Sequence, residues 1–458
     1  MTAHCLALWC QDQHVANINY DALADDWGLT YSNAWRDSPK AFGLSPALPL
    51  HGPEGGFNSK SVRRFIENLL PEGRALDIAA SAKGVAKTNI YGLIHELGAE
   101  TTGAFRFLPE GVDGALEQPL NEARQVSLAE LDRRIADRER EPFIVWDDKV
   151  RMSVAGYQDK LLVYTERDMV DVAEGAPMFL PDYPLASTHI VKPQPAGTDF
   201  PHMVINEHYC MSLAMAMGLP VAQVAILRTP RPVLVVKRFD REVLQTLAPG
   251  HRHATVARLH VIDLCQACDV PVSYKYERNV GSTGAAAQYR DGTSFESLFS
   301  QVTNVHRKAV EKLTMLRWAL FQLIIGNCDA HGKNYSFFVS AEGLSSAPWY
   351  DLVSVVQYPQ VSQELAMAFG DVFDIHQVKG FALADFATRC GIDRKLLHRE
   401  TKRLADGVRK HAAHLVDTLP YELDERIFAQ QLQAYVTQRC AALELATQEA
   451  MLIKTEYL

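Results

Sequence analysis

At 458 residues the chain is too long for one hydrophobic core, so two or three domains are expected. Its 47% hydrophobic and 22% charged residues exclude a disordered chain. A net charge of −9 excludes a generally basic nucleic-acid binder, leaving such contact to a local patch or a partner. Eight scattered cysteines form no disulfide framework, and the pair Cys265-Gln-Ala-Cys268 lacks the further ligands of a zinc site, so two buried thiols are expected. With no signal-peptide pattern and no apolar run of roughly 18 residues, a cytoplasmic protein that does not enter a membrane is expected.

Residues 1–145 read as a small α+β interaction or scaffolding domain with a connector. Segments 5–10 and 15–20 flank a polar Gln-Asp-Gln-His stretch, a hairpin signal. The spacing of Val62, Phe65, Ile66 and Leu69 predicts a helix over 59–70, with Ser59 as its cap and Pro71-Glu-Gly as its stop. A helix over 87–97 and a strand over 103–108 follow. The charged stretch 111–140 is helix-prone and reads as the connector.

In residues 146–240, Ser153-Val-Ala-Gly-Tyr-Gln-Asp-Lys160 precedes a strand at 161–164. A small glycine-bearing turn lets backbone N–H groups approach phosphates, and Lys160 adds charge. An ordinary hairpin turn has the same composition. A strand over 187–193 places Thr188, Ile190 and Lys192 on one face. A lysine on an inward face needs a partner, and Glu207, early in a helix over 204–217, is the candidate. Kinases hold the α- and β-phosphates with such an ordered pair. The bland alternative is an edge-strand lysine and a glutamate favoured by the helix dipole. Strands at 223–227 and 233–236 then lead to Lys237-Arg-Phe239. There a sheet region meets a helical one, and backbone groups at such a crossing can hold an adenine ring.

In residues 241–458, a helix is expected over 258–267, a mobile Gly/Ala/Ser-rich loop over 279–293, and a long buried helix over 308–325. The stretch Asn327-Cys-Asp-Ala-His-Gly-Lys-Asn-Tyr-Ser336 comes next, with Asp329 and Asn334 five positions apart. A hairpin over 337–350 then carries Asp351. Phosphoryl transfer from ATP needs one carboxylate on the attacking hydroxyl, and an amide oxygen with a second carboxylate on magnesium. Any polar loop also contains Asp, Asn, Gly and His. The remainder, 383–458, is helical in pattern. Its basic cluster Arg394, Lys395, Arg399, Lys402, Arg403, Arg409 and Lys410 reads first as a solvated helix face, with nucleic acid or an acidic partner as the alternative.

These motifs, together with Asn206-Glu-His-Tyr-Cys210, Arg238-Phe-Asp-Arg241, Tyr350-Asp-Leu352 and Asn68-Leu-Leu-Pro-Glu72, resemble the HipA family of bacterial toxin serine/threonine kinases nearly end to end. The resemblance implies an α+β, bilobal protein-kinase-like fold: an N-terminal subdomain with its connector (1–145), a small lobe (146–240) and a mostly helical lobe (241–458). It implies Asp329 as catalytic base, Asn334 and Asp351 as Mg2+ ligands, and Lys192 with Glu207 at the ATP phosphates. Val154, Ala155, Gly156, Tyr157, Gln158, Asp159 and Lys160 would cover the phosphates. Lys237, Arg238 and Phe239 would form the adenine hinge, and His331 and Lys333 would also line the nucleotide. Ser153 falls at the family's autophosphorylated serine, where a phosphate of about −2 charge would expel the loop. The implied partners are a small helix-turn-helix antitoxin of HipB type, operator DNA mainly through that antitoxin, and a protein substrate such as an aminoacyl-tRNA synthetase. Tyr157, Asp159 and Lys237 depart from the family pattern. The alternatives are a DNA-associated co-repressor with weak or absent kinase activity, motivated by the basic cluster, and a small-molecule phosphotransferase.

Overall fold

The computed structural model describes residues 3–114, 123–151, 158–182, 185–244 and 253–458. The N-terminal part is an antiparallel sheet in the order Asp26–Tyr31, Gln13–Asp21, Ala3–Cys10, Phe105–Pro109. Leu6 pairs with Ile18 and Leu8 with Ala16, and all four are fully buried, as one face of a half-buried sheet requires. The expected helix is present as Ser59–Glu67 with Val62, Phe65 and Ile66 inward. Its cap is Asn58, not Ser59: the Asn58 side chain accepts from the Lys60 N–H, and Ser59 Oγ accepts from the Trp27 N–H. The first helix stops at Glu67 with Asn68 as its C-cap, and Pro71-Glu-Gly opens a helix at Gly73–Lys83 that was not anticipated. The following helix is only Ile90–Leu97, started by Asn89, whose side chain accepts from the Gly92 N–H.

The second sheet runs Val224–Arg228, Pro232–Lys237, His189–Pro193, Leu161–Val163, all antiparallel. Lys192 therefore sits on an internal strand, opposite Leu234. One face, with Val191, Val233 and Val235, packs on Phe143 and Trp146. The other, with Ile190, Leu234 and Val236, packs toward the helix Met203–Ala216.

The stretch expected to be one helix at 258–267 is a strand, Val261–Asp263, followed by a single helical turn, Leu264–Ala267. Val261 and Ile262 pair with Phe338 and Phe337, and this long-range pairing overrides the local helical spacing. Asp263 then caps the turn reciprocally with Gln266. The helix Lys308–Ile325 is as expected, and Leu316, Leu320, Leu323 and Ile324 are buried in it. Each such side chain contributes roughly 1.5–3 kcal/mol over an exposed one. The helix ends at Gly326 in the left-handed region, where a Cβ would strike Val356 and Tyr435. The chain thus enters the 327–336 loop from a rigid base. A hairpin, Glu364–Phe369 with Val372–Asp374, was not anticipated. The helices Gly380–Arg389, Arg394–Thr418 and Leu423–Leu452 close the chain.

Where sheet meets helices, Arg238 and Arg241 grip Asp240 at 2.7 and 2.8 Å. Glu100 of the N-terminal part joins them, 3.2 Å from Arg238 and 2.5 Å from Arg258. Burial opposes ionisation of Asp240, but the two guanidiniums hold its carboxyl well below the usual carboxylate range. All eight cysteines are free thiols. Among the described residues, no helix is long and apolar enough to cross a membrane.

Candidate active site

The sheet, the helix Met203–Ala216 and the 327–336 loop enclose a cleft of about 930 Å³. Gln158, Asp159, Lys160, Lys192, Glu207, Lys237, Arg238, Phe239, Asp329, His331, Lys333, Asn334 and Asp351 all line it. Ser153, Val154, Ala155, Gly156 and Tyr157 lie outside the described residues.

Lys192 is 5% exposed and Glu207 1%. The lysine's Nζ lies 2.6 Å from Glu207 Oε1 and 2.9 Å from Asp351 Oδ1. Burial alone would lower the lysine's pKa, but the Asp351 and Glu207 carboxylates more than reverse this and keep it protonated. For Lys160, burial and repulsion from Lys192 outweigh the Asp351, Glu207 and Glu72 carboxylates and pull it down to about 8. Asp351 is only half-buried. Enclosure opposes its ionisation, yet the Lys192 and Lys160 ammoniums hold it well below the usual range.

Asp351 also has φ +58°, a left-handed conformation that a non-glycine residue adopts only where its surroundings enforce it. The Asn334 Nδ2 donates to Asp351 Oδ2 at 2.9 Å, while Asn334 Oδ1 is buried with no hydrogen-bond partner among the described residues. An orphaned amide oxygen beside a strongly ionised carboxylate suits a hard cation that prefers oxygen ligands. Among the described residues no group of three or more His, Cys, Asp or Glu gathers elsewhere to hold a metal. Two protein oxygens with phosphate and water completing the shell are typical of magnesium.

Asp329 opens toward the cleft, and its N–H donates to Asn327 Oδ1 at 3.1 Å. Asn327 in turn donates to Gln322 Oε1 and the Asp351 carbonyl, which links the two acids through the loop. The carboxylate accepts a 2.6 Å hydrogen bond from the Tyr276 hydroxyl. Although solvent reaches it, the cleft walls push its pKa up to about 6, with Tyr276 opposing and Asp351 adding repulsion.

Three expected nucleotide contacts are engaged elsewhere through their side chains. The Lys333 ammonium donates to Asn68 O and Oδ1 at 2.9 and 3.2 Å and pairs with Asp263 at 2.5 Å, so it anchors the loop. The Arg238 guanidinium is committed to Glu100 and Asp240. His331 is held neutral by burial, its pKa pulled down to about 3, and its ring packs edge-on against Tyr276. At the crossing, the Lys237 and Arg238 N–H groups are taken by the Gln223 and Thr188 carbonyls. The Phe239 ring packs against Phe338 and Tyr350.

Sequence reasoning gave no role to Asn68, Glu72, Lys275, Tyr276 or Asn327. Asn68 and Glu72 carried a signal as the ends of the motif Asn68-Leu-Leu-Pro-Glu72, and Asn327 as the first residue of the 327–336 stretch, while Lys275 and Tyr276 carried none. The basic cluster is partly paired: Arg399 and Arg403 share Glu400, Arg409 bridges Asp406 and Glu444, and Arg394 donates to the Ile453 carbonyl, while Lys395, Lys402 and Lys410 stand exposed.

A buried lysine joined at once to a helix glutamate and to a loop aspartate, across a cleft between sheet and helices, is the arrangement of a kinase. Residues 152–414 match the HipA-like C-terminal domain and residues 6–108 the HipA N-terminal domain. The chain belongs to the HipA family and is a kinase of the serine/threonine class. It is 38% identical to the serine/threonine-protein kinase toxin HipA of Shewanella oneidensis over 94% of this chain and 93% of that one. It is 33% identical to a putative kinase, Y4mE, of Sinorhizobium fredii over 91% and 93%. The solved Shewanella HipA, in complex with HipB and its operator DNA, superposes with a TM-score of 0.85 at 36% identity, covering 98% of this chain and all of that one.

Proposed function

We propose that this chain is an ATP- and magnesium-dependent toxin kinase that acts on protein serine or threonine hydroxyls and works with a small antitoxin. The observation that carries this is the bridge from Lys192 to Glu207 and Asp351, with the unsatisfied Asn334 oxygen beside it. Bound ATP with Mg2+ supplies the transferable phosphoryl group and the charge neutralisation that its transfer needs. Lys192 holds phosphate oxygens and Glu207 keeps that ammonium in place. Lys160 adds positive charge to the same region. Asn334 and Asp351 offer oxygens to the metal. Asp329 orients the acceptor hydroxyl and takes its proton. The Phe239 N–H, which has no hydrogen-bond partner among the described residues, is the hinge donor for adenine.

The same reading extends to a HipB-like helix-turn-helix antitoxin, to operator DNA reached through it, and to an aminoacyl-tRNA synthetase as substrate. The family and the Shewanella complex support the antitoxin and the DNA, while the substrate class rests on the resemblance. Ser153 is proposed as the autophosphorylation site from its position just before the phosphate loop. The co-repressor reading without kinase activity is disfavoured because Lys192, Glu207, Asp329, Asn334 and Asp351 all line one cleft. The test is incubation with radiolabelled ATP and Mg2+, alongside phosphoproteomics of a short expression pulse. Wild type should label protein, and Ser153 should carry phosphate. Undiminished labelling by Asp329→Asn would overturn the assignment.

A further inference from the structure

The N-terminal part reaches into the cleft at two points. Lys333 of the catalytic loop is anchored on Asn68. Four residues on, Glu72 Oε2 lies 2.7 Å from Lys275 Nζ. That ammonium lies 5.5 Å from the centre of the Tyr276 ring, within cation–π range. The Tyr276 hydroxyl then donates to Asp329 Oδ1 at 2.6 Å.

The backbone under this chain of contacts is pinned. The Lys275 carbonyl accepts from the Gly332 N–H at 2.9 Å and from Thr293 Oγ1 at 2.6 Å. The Tyr274 carbonyl accepts from the Thr293 N–H at 2.8 Å, and the Glu277 N–H donates to the Ala366 carbonyl at 2.9 Å. A Cβ on Gly292 would collide with the Tyr276 carbonyl at 1.8 Å, so glycine is required for that approach. The phenol is therefore presented from a fixed platform.

We infer that Glu72, Lys275 and Tyr276 form a positioning relay through which the N-terminal domain orients the Asp329 carboxylate. It rests on reading Asp329 as the base. A carboxylate has two oxygens. The phenol holds Oδ1, which fixes the plane of the group and leaves Oδ2 to receive the acceptor proton. Glu72 fixes the ammonium that in turn fixes the ring. Lys275 and His331 flank Tyr276, which is 37% exposed, and the hydrogen bond to Asp329 holds the phenol in register. Tyr276 and Glu72 are positioning residues: they act on the reaction through Asp329.

The test compares four full-length proteins: wild type, Glu72→Gln, Tyr276→Phe and the double variant. Transfer from Mg·ATP to dephosphorylated casein is measured for each, with Asp329→Asn as control. Unfolding midpoints are recorded for the same four. For Tyr276→Phe we expect kcat to fall about tenfold with KM for ATP within about twofold, and for Glu72→Gln a fall of about threefold. The double variant should be no slower than Tyr276→Phe, and the midpoint shifts of the single variants should not add. A faster Tyr276→Phe enzyme would overturn the relay, because the phenol would then be obstructing the acceptor. Losses that multiply, with additive midpoint shifts, would also overturn it. Absence of any labelling by wild type, of itself as well as of casein, or full transfer by Asp329→Asn, would remove the base assignment instead, and the four midpoints would then decide the relay alone.

Discussion

Lys192 and Asp351, 159 positions apart in sequence, meet at 2.9 Å across the cleft, and Glu207 takes the same ammonium from the other side. Removing the lysine takes away the direct partner of buried Glu207 and leaves only the more distant Lys160, and breaking such a pair costs about 3–5 kcal/mol. Lys192→Met should therefore lower the unfolding midpoint and cut transfer by about a hundredfold or more. Glu207→Gln should cost less in both measures, because Asp351 still holds the ammonium. Initial rates and thermal melts of the two variants check this.

Asp351 sits at φ +58°, a region that Asn also tolerates. Asp351→Asn is expected to fold but to melt below wild type, because Lys192 loses one counter-charge, and to lose transfer by about a hundredfold or more at every magnesium concentration. Asn334→Ala removes only the neutral ligand, so its half-saturating magnesium concentration should rise and part of the rate should return at high metal. Magnesium titrations of both variants separate the two roles. Equal magnesium dependence in wild type and Asn334→Ala would argue against the amide oxygen as a ligand.

The Asp329 carboxyl is pushed up to about 6. A base must be ionised to accept a proton, so kcat/KM should be full above that value and fall as pH drops through about 6. A pH–rate profile gives the midpoint directly. An acid limb near the ordinary aspartate value would mean that the cleft is wetter around Asp329 than its walls suggest.

His189, His208 and His260 are each pulled down to about 4 by burial. Their unfolded pKa is about 6.5, so between pH 6.5 and 4 the unfolded chain binds more protons than the folded one. Stability is then fully present above 6.5 and falls as pH drops through this window, with a slope of up to roughly 4 kcal/mol per pH unit for three groups. Urea unfolding at pH 7, 6 and 5 should show the decline. Replacing His208, which hydrogen-bonds Tyr421, with Gln should reduce the slope.

The long-range logic of the site was readable where residue type and order carry the chemistry: Lys192, Glu207, Asp329, Asn334 and Asp351 reach one cleft. Helices with a clear apolar stripe, such as Lys308–Ile325, were readable to the residue. What escaped was set by partners distant in sequence. Val261–Asp263 reads as helix until Ser336–Ser340 lies beside it. Lys333 is a cation in the 327–336 loop, and only the fold reveals that Asn68 and Asp263 have already claimed it. Tyr276 carried no local signal, since a tyrosine in a polar segment looks the same whether it meets solvent or a carboxylate.

The charges gathered around Asp240 bear on how the molecule can breathe. Arg238 and Asp240 are barely wetted, and Arg241 and Arg258 reach Glu100 from other parts of the chain. Pulling Glu100 out of this cluster would separate buried ions, and breaking such pairs costs about 3–5 kcal/mol. The N-terminal part is thus welded to the crossing segment, and whatever moves about that segment has to carry it along.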